Sequence, residues 1–154
     1  MMEHFVIQSD ISLLPLVEER LFHFCQLNHV GNYHSTIDVA VLQAVENAIV
    51  HGNGGEVEKT VDITFGTCRG GVFVEVEDHG AGFDYECYVD HPEGAASEGE
   101  GIFVMCRLAD RVRYDEGGRK VRLEFDVAGI DPGDAMERVA ILRRFLSPVE
   151  VGMA

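Results

Sequence analysis

The sequence has no tryptophan, only four prolines and four cysteines, and 12 Lys and Arg against 27 Asp and Glu. Each shortage narrows what the chain does. Cys25, Cys68, Cys87 and Cys106 stand far apart, with no Cys-x-x-Cys pair. That spacing argues against zinc and against a disulfide framework, and favours a reducing cytosol with thiols in the core. No run approaches the roughly 20 apolar residues needed to cross a bilayer. The start, Met1-Met2-Glu3-His4-Phe5, has no basic region leading into an apolar one, so it reads as no signal peptide and the location as cytoplasmic. The shortage of Lys and Arg leaves a formal charge of −15. Such a charge repels nucleic acid and anionic membrane, and suits a basic protein partner or simple solubility. No Gly-x-x-x-x-Gly-Lys-Ser/Thr occurs, which excludes the common phosphate loop. No Ser-His-Asp or Cys-His arrangement, internal repeat or low-complexity tract emerges.

What remains is 154 residues with 46% apolar content, enough for one domain with a real core. A domain over residues 1–126 is expected, followed by a C-terminal extension, 127–154, carrying one amphipathic helix over 132–146. Phe5-Val6-Ile7 reads as a first strand. Asp10 to Ser12 supplies the cap of a helix in which Leu14, Val17, Leu21 and Phe24 keep helical spacing. Ser35, with Asp38 three residues on, looks like the cap of a second helix. That second helix carries Gln43, Asn47 and His51 at i, i+4 and i+8, one polar line opposite Ile37, Val41, Ala44, Val45 and Ala48. Gly52-Asn53-Gly54-Gly55 ends it.

Val61, Ile63 and Phe65 alternate with polar residues, and Val72, Val74 and Val76 alternate with Phe73, Glu75 and Glu77, giving two strands joined at Arg69-Gly70-Gly71. The second strand runs into Asp78. A long glycine-bearing loop follows, and Gly101 is expected to open a third helix through Ile102, Met105 and Leu108. Arg111–Asp115 and Val121, Leu123 and Phe125 form a closing hairpin around Glu116-Gly117-Gly118. Segregated helices and strands predict an α+β fold, an α/β sandwich with helices layered on one face of a mixed sheet.

Three stretches carry chemistry. Asp78, at the end of a buried strand, is placed to accept a hydrogen bond from an exocyclic amine such as that of adenine. Gly80 and Gly82 let backbone approach a flat ring. Gly99 and Gly101 are expected to precede a helix whose free amides suit phosphate oxygens. Asn47 offers a neutral amide oxygen to a phosphate-bound Mg²⁺.

On these residues the chain resembles the ATP-binding domain shared by histidine kinases, gyrase, Hsp90 and mismatch-repair ATPases, the GHKL superfamily with the Bergerat fold. Within it, the single-domain anti-sigma factor serine/threonine kinases are the most similar. The resemblance covers about residues 4–125. It rests on Gln43-Ala-Val-Glu46-Asn47-Ala-Ile-Val-His51-Gly-Asn53 as the N box, Asp78-His-Gly80-Ala-Gly82-Phe83 as the first glycine box and Gly99-Glu-Gly101-Ile102 as the second. It implies ATP and Mg²⁺ as cofactors, held by Asn47, His51, Asp78, Gly80, Gly82, Phe83, Gly99, Gly101 and Ile102, with Asn47 on the metal. A mobile lid is implied over about 83–100. It further implies a partner-switching regulator that binds a sigma factor or phosphorylates a serine of an anti-anti-sigma antagonist.

The chain departs from that pattern at the catalytic position. Where the family carries Glu, this sequence has Gln43, whose amide accepts no proton at neutral pH. Glu46, beside Asn47, is the remaining candidate carboxylate. Glu100 stands where kinase relatives often place Arg, and Gly54-Gly55-Glu56 where many place Lys, so the phosphate end is poor in positive charge. The alternative is therefore a non-catalytic nucleotide-binding module. A third reading, the ATPase part of a separate sensor, is weakened by the lack of a helical hairpin with a phospho-acceptor His. The last helix packs on the domain itself or forms a homodimer contact.

Overall fold

The computed structural model describes residues 2–83 and 97–127, with the backbone alone for 97–100. The expected helix over 132–146 and residues 84–96 of the expected lid lie outside them. The elements in order are β1 (Met2–Gln8), α1 (Leu14–Leu27), α2 (His34–Asn47), β2 (Thr60–Cys68), β3 (Gly71–Glu77), α3 (Ser97–Leu108), β4 (Arg111–Asp115) and β5 (Lys120–Asp126). The strands form one sheet in the order β1-β2-β3-β5-β4, and the helices cover one of its faces.

Every pairing is antiparallel, where a mixed sheet was expected. The connections explain this. Two helices lie between β1 and β2, an even number, so the chain returns running the opposite way. A single helix separates β3 from β4, which are parallel to each other, but β5 inserts between them and pairs antiparallel with both.

Alternation builds the core. On the helix-facing side, Phe5, Ile63, Val76, Val121 and Tyr114 form one row across all five strands, and Phe65, Val74, Leu123 and Val112 form the next. Phe65 sits 5.4 Å from the Phe5 ring and 5.5 Å from that of Phe24 on α1. Phe65 and Phe24, both fully buried, contribute about 1.5–3 kcal/mol each. The other face of the sheet carries Asp62, Glu75, Lys120, Arg122 and Glu124, tied by pairs such as Arg122 to Glu124 at 2.8 Å.

Helix α1 begins as the sequence suggests. A single turn of 3-10 helix, Ile11–Leu13, precedes it, and the Asp10 carboxylate accepts from the Ser12 amide at 2.9 Å. Ser35, by contrast, caps nothing. Helix α2 is entered through a tight turn, Gly31–Tyr33, and starts one residue before Ser35. The amides of Tyr33 and His34 bond to Val30 and Gly31 carbonyls, so the turn itself replaces the side-chain cap.

Helix α2 is also more central than a one-sided pattern implies. Val39 and Ala40 are buried along with Ile37, Val41, Ala44 and Val45, because α1 and α3 flank it while the sheet lies beneath. Its end widens into a π turn over Ala48–Gly52. Cys25, Cys68 and Cys106 are free thiols, and burial pushes Cys25 up to about 12, which leaves it inert. Among the described residues no helix is long and apolar enough to cross a membrane.

Candidate functional site

A cavity of about 260 Å³ opens between α2, α3 and the β3–β5–β4 end of the sheet. Its apolar walls are Ala44, Ala48, Val76, Ile102, Met105 and Val121. Val76, Val121 and Tyr114 come from a single row of the sheet, and the Phe83 ring meets the Tyr114 ring edge-on at 5.4 Å. A concave, mostly apolar cavity with a few polar groups is the usual form of a small-molecule site.

Asp78 supplies the main polar group. Valines at 72, 74 and 76 point inward, and Asp78 takes the next inward position, just past the end of β3. Its amide donates to the Arg119 carbonyl at 2.9 Å, extending the ladder by one step. Its carboxylate is buried and accepts from the Gly80 amide at 2.9 Å. Burial pushes this carboxyl above the ordinary aspartate value, opposed by the Gly80 hydrogen bond and by the His79 and Arg119 charges. Among the described residues it has no ion pair.

Glycines allow that placement. A Cβ on Gly52 would lie 2.2 Å from an Asp78 carboxylate oxygen, and one on Gly80 would lie 1.8 Å from the Gly52 carbonyl oxygen. The end of α2, the Asp78 carboxylate and the first glycine box thus touch with no room for side chains. Gly82, at φ +83°, carries the chain to Phe83, whose amide donates to Gly117 in the β4–β5 turn at 3.1 Å.

The polar line of α2 is graded rather than uniform. Gln43 is buried, Asn47 is half-buried and His51 is exposed. Asn47 and His51 line the cavity; Gln43 and Glu46 do not. Gln43 instead lies against α3, where a Cβ on Gly101 would sit 3.0 Å from its Oε1 and 3.0 Å from the Asn47 Nδ2. Of the other residues expected at the site, Asp78, Gly82, Phe83 and Ile102 line the cavity, while Gly80 supports Asp78 from behind. Gly101 is buried at the α2–α3 contact. Helix α3 begins at Ser97, four residues before Gly101. Gly99 and Gly101 are therefore inside the helix rather than ahead of it, and the first-turn amides that have no partner within the helix belong to residues 97–100.

Asn53 was not legible as a site residue. It is 1% exposed; its Nδ2 donates to Ser9 Oγ at 2.8 Å and to the Thr60 carbonyl at 3.0 Å, and its Oδ1 accepts from the His79 amide at 2.8 Å. One side chain thus ties β1, β2 and the end of α2 to the residue after Asp78. His79 turns its ring outward to Asp62 at 2.9 Å, and His4 reaches the other oxygen of Asp62 at 3.2 Å. Tyr114, Met105 and Arg119 also line the cavity and were not expected there.

The architecture and the site now have a family. A model of the histidine kinase-like ATPase domain matches residues 26–125. The chain belongs to that family. Its matched stretch runs from the end of α1 into β5 and so includes every described residue lining the cavity. The histidine kinase domain of the blue-light activated histidine kinase from Erythrobacter litoralis EL346 is similar in structure, with a TM-score of 0.51 at 16% identity. The similarity covers 87% of this chain and 65% of that one, so this chain spans about two thirds of its length. At that identity the likeness is one of fold. No curated protein matches the chain.

Proposed function

We propose that the cavity binds ATP with Mg²⁺ and that the protein is a cytoplasmic anti-sigma-type regulator of the partner-switching kind. On this reading it is a serine/threonine protein kinase by descent, with weakened catalysis. The observation that carries the nucleotide reading is Asp78, a buried acceptor at the edge of an apolar slot with no ion pair among the described residues. An exocyclic amine supplies a second donor to this carboxylate, beside the Gly80 amide. The apolar lining, Ala48 and Met105 among it, would receive the purine ring.

The donor set also suits the metal. Among the described residues no cluster of three His, Cys, Asp or Glu side chains is arranged to hold an ion. Mg²⁺ is commonly bound through few protein ligands and the substrate phosphates, and Asn47 would be the protein ligand here. When bound, Mg²⁺ neutralises charge on the phosphates. Asn47 would orient that end, the apolar walls exclude water from the base, and the Gln43 amide neither takes up nor releases a proton at neutral pH.

The buried position of Gln43 favours a second reading, a nucleotide-binding module whose contacts with a sigma factor or an antagonist need no turnover. A residue pressed against Gly101 is poorly placed to meet an attacking hydroxyl. Incubation with labelled ATP, Mg²⁺ and the cognate antagonist separates the two. The kinase reading expects slow incorporation that disappears in Asn47→Ala and rises in Gln43→Glu. No incorporation in either the native chain or Gln43→Glu, with ATP binding intact, would leave the module reading.

A further inference from the structure

Two cavity residues of opposite charge face each other by register and do not pair. On β3, Val72, Val74 and Val76 point inward and the next inward position is Asp78. On β5, Phe125, Leu123 and Val121 point inward and the position before them is Arg119. Val76 pairs with Val121 and Glu77 with Lys120, so the hydrogen bond from the Asp78 amide to the Arg119 carbonyl sets these two side by side. Both line the cavity, and Arg119 is the only Lys or Arg among its described lining residues.

Opposite charges directly across a ladder usually meet. Here no ion pair joins them among the described residues. The Arg119 Nε donates to the Glu116 carbonyl at 3.1 Å, and a terminal nitrogen lies 3.6 Å from the Glu116 carboxylate. The stem passes Gly82, where a Cβ would lie 3.7 Å from Arg119 Cγ. The Asp78 carboxylate is turned the other way, onto the Gly80 amide. An acceptor and a donor are thus held apart on one wall of the same slot.

A carboxylate only accepts hydrogen bonds and a guanidinium only donates them. The pair matches a flat ring edge that carries an N–H donor beside an acceptor. On an aminopurine, the exocyclic amine is flanked by ring nitrogens on both sides, and arginine is well suited to such nitrogens. We propose that Arg119 is a specificity-determining residue, donating to the purine ring nitrogen next to the amine that Asp78 holds. This rests on the nucleotide reading above.

Calorimetry with ATP, 1-deaza-ATP and 7-deaza-ATP tests it, using the native chain and Arg119→Met, with circular dichroism to confirm folding. Arg119→Met keeps the backbone carbonyl that Asp78 uses. It should weaken ATP by roughly tenfold, the loss expected for a hydrogen bond from a charged donor. That weakening should vanish with the analogue that lacks the contacted nitrogen. Unchanged ATP affinity in Arg119→Met overturns the proposal, and so does equal weakening for all three nucleotides, which a purely structural role would give. A native chain that binds none of them refutes the nucleotide reading itself.

Discussion

Asp78 occupies the position where the alternation of β3 would otherwise place a fourth inward valine. Burial raises its pKa, so the folded, ligand-free protein holds this proton more tightly than the unfolded chain does. The sign follows: the contribution to stability is fully present below the ordinary aspartate value and is lost as pH rises through the raised one. Glu124 and Asp126 act in the opposite sense, because hydrogen bonds from Arg111, joined at Glu124 by one from Arg122, hold them below their ordinary values. Subtracting the melting curve of Asp78→Asn from that of the native protein, pH by pH, isolates Asp78. The difference should favour the native chain at low pH and turn toward the variant as pH rises. A difference that is flat with pH would show that the carboxyl is not strained. ATP affinity should follow the reverse course, strengthening as the same group ionises. At this scale residue type and spacing single out Asp78, Asn47, His51 and Phe83, and all four line the cavity. Arg119 was legible in principle, since the valine and leucine alternation of β5 points to it, but only once the pairing register with β3 is known.

The elements around the cavity are joined by contacts that local patterns do not reveal. Helix periodicity and strand alternation located α1, α2 and all five strands. The polarity of the sheet was not legible, because it depends on which strand inserts between β3 and β4. The start of α3 was missed by four residues, since a glycine-rich run reads as loop while packing against α2 keeps Gly101 helical. Asn53 looked like a helix breaker among glycines, and its four-way role exists only in three dimensions. Asn53→Ala would leave the His79 amide, Ser9 hydroxyl and Thr60 carbonyl short of partners. Its expected effect is a loss of about 3 kcal/mol in urea denaturation, together with weaker nucleotide binding because Asp78 is no longer anchored. A loss below about 0.5 kcal/mol, within the usual range for surface changes, would show that water replaces the side chain.

At the scale of the molecule, the net charge of −15 is a long-range repulsion that no single contact relieves. Added salt screens it, and it also weakens the exposed ion pairs of the outer sheet face, which contribute little individually. The midpoint of thermal unfolding should therefore rise by a few degrees between low and moderate salt; a fall would mean that the Arg111, Arg122 and Glu124 network outweighs the repulsion. The fold class followed from the order and segregation of elements, and the family from three short motifs that the fold gathers around one slot. Partner and substrate were not legible from physics, because they depend on surfaces whose complements lie in other molecules. ATP binding through Asp78 is tested most directly by one measurement: titration of ATP with Mg²⁺ into the native protein and into Asp78→Asn by calorimetry. The native chain should bind, and the variant should bind at least about tenfold more weakly, the loss of one hydrogen bond to a charged acceptor. Equal affinity in the two proteins, or no binding by the native one, would contradict it.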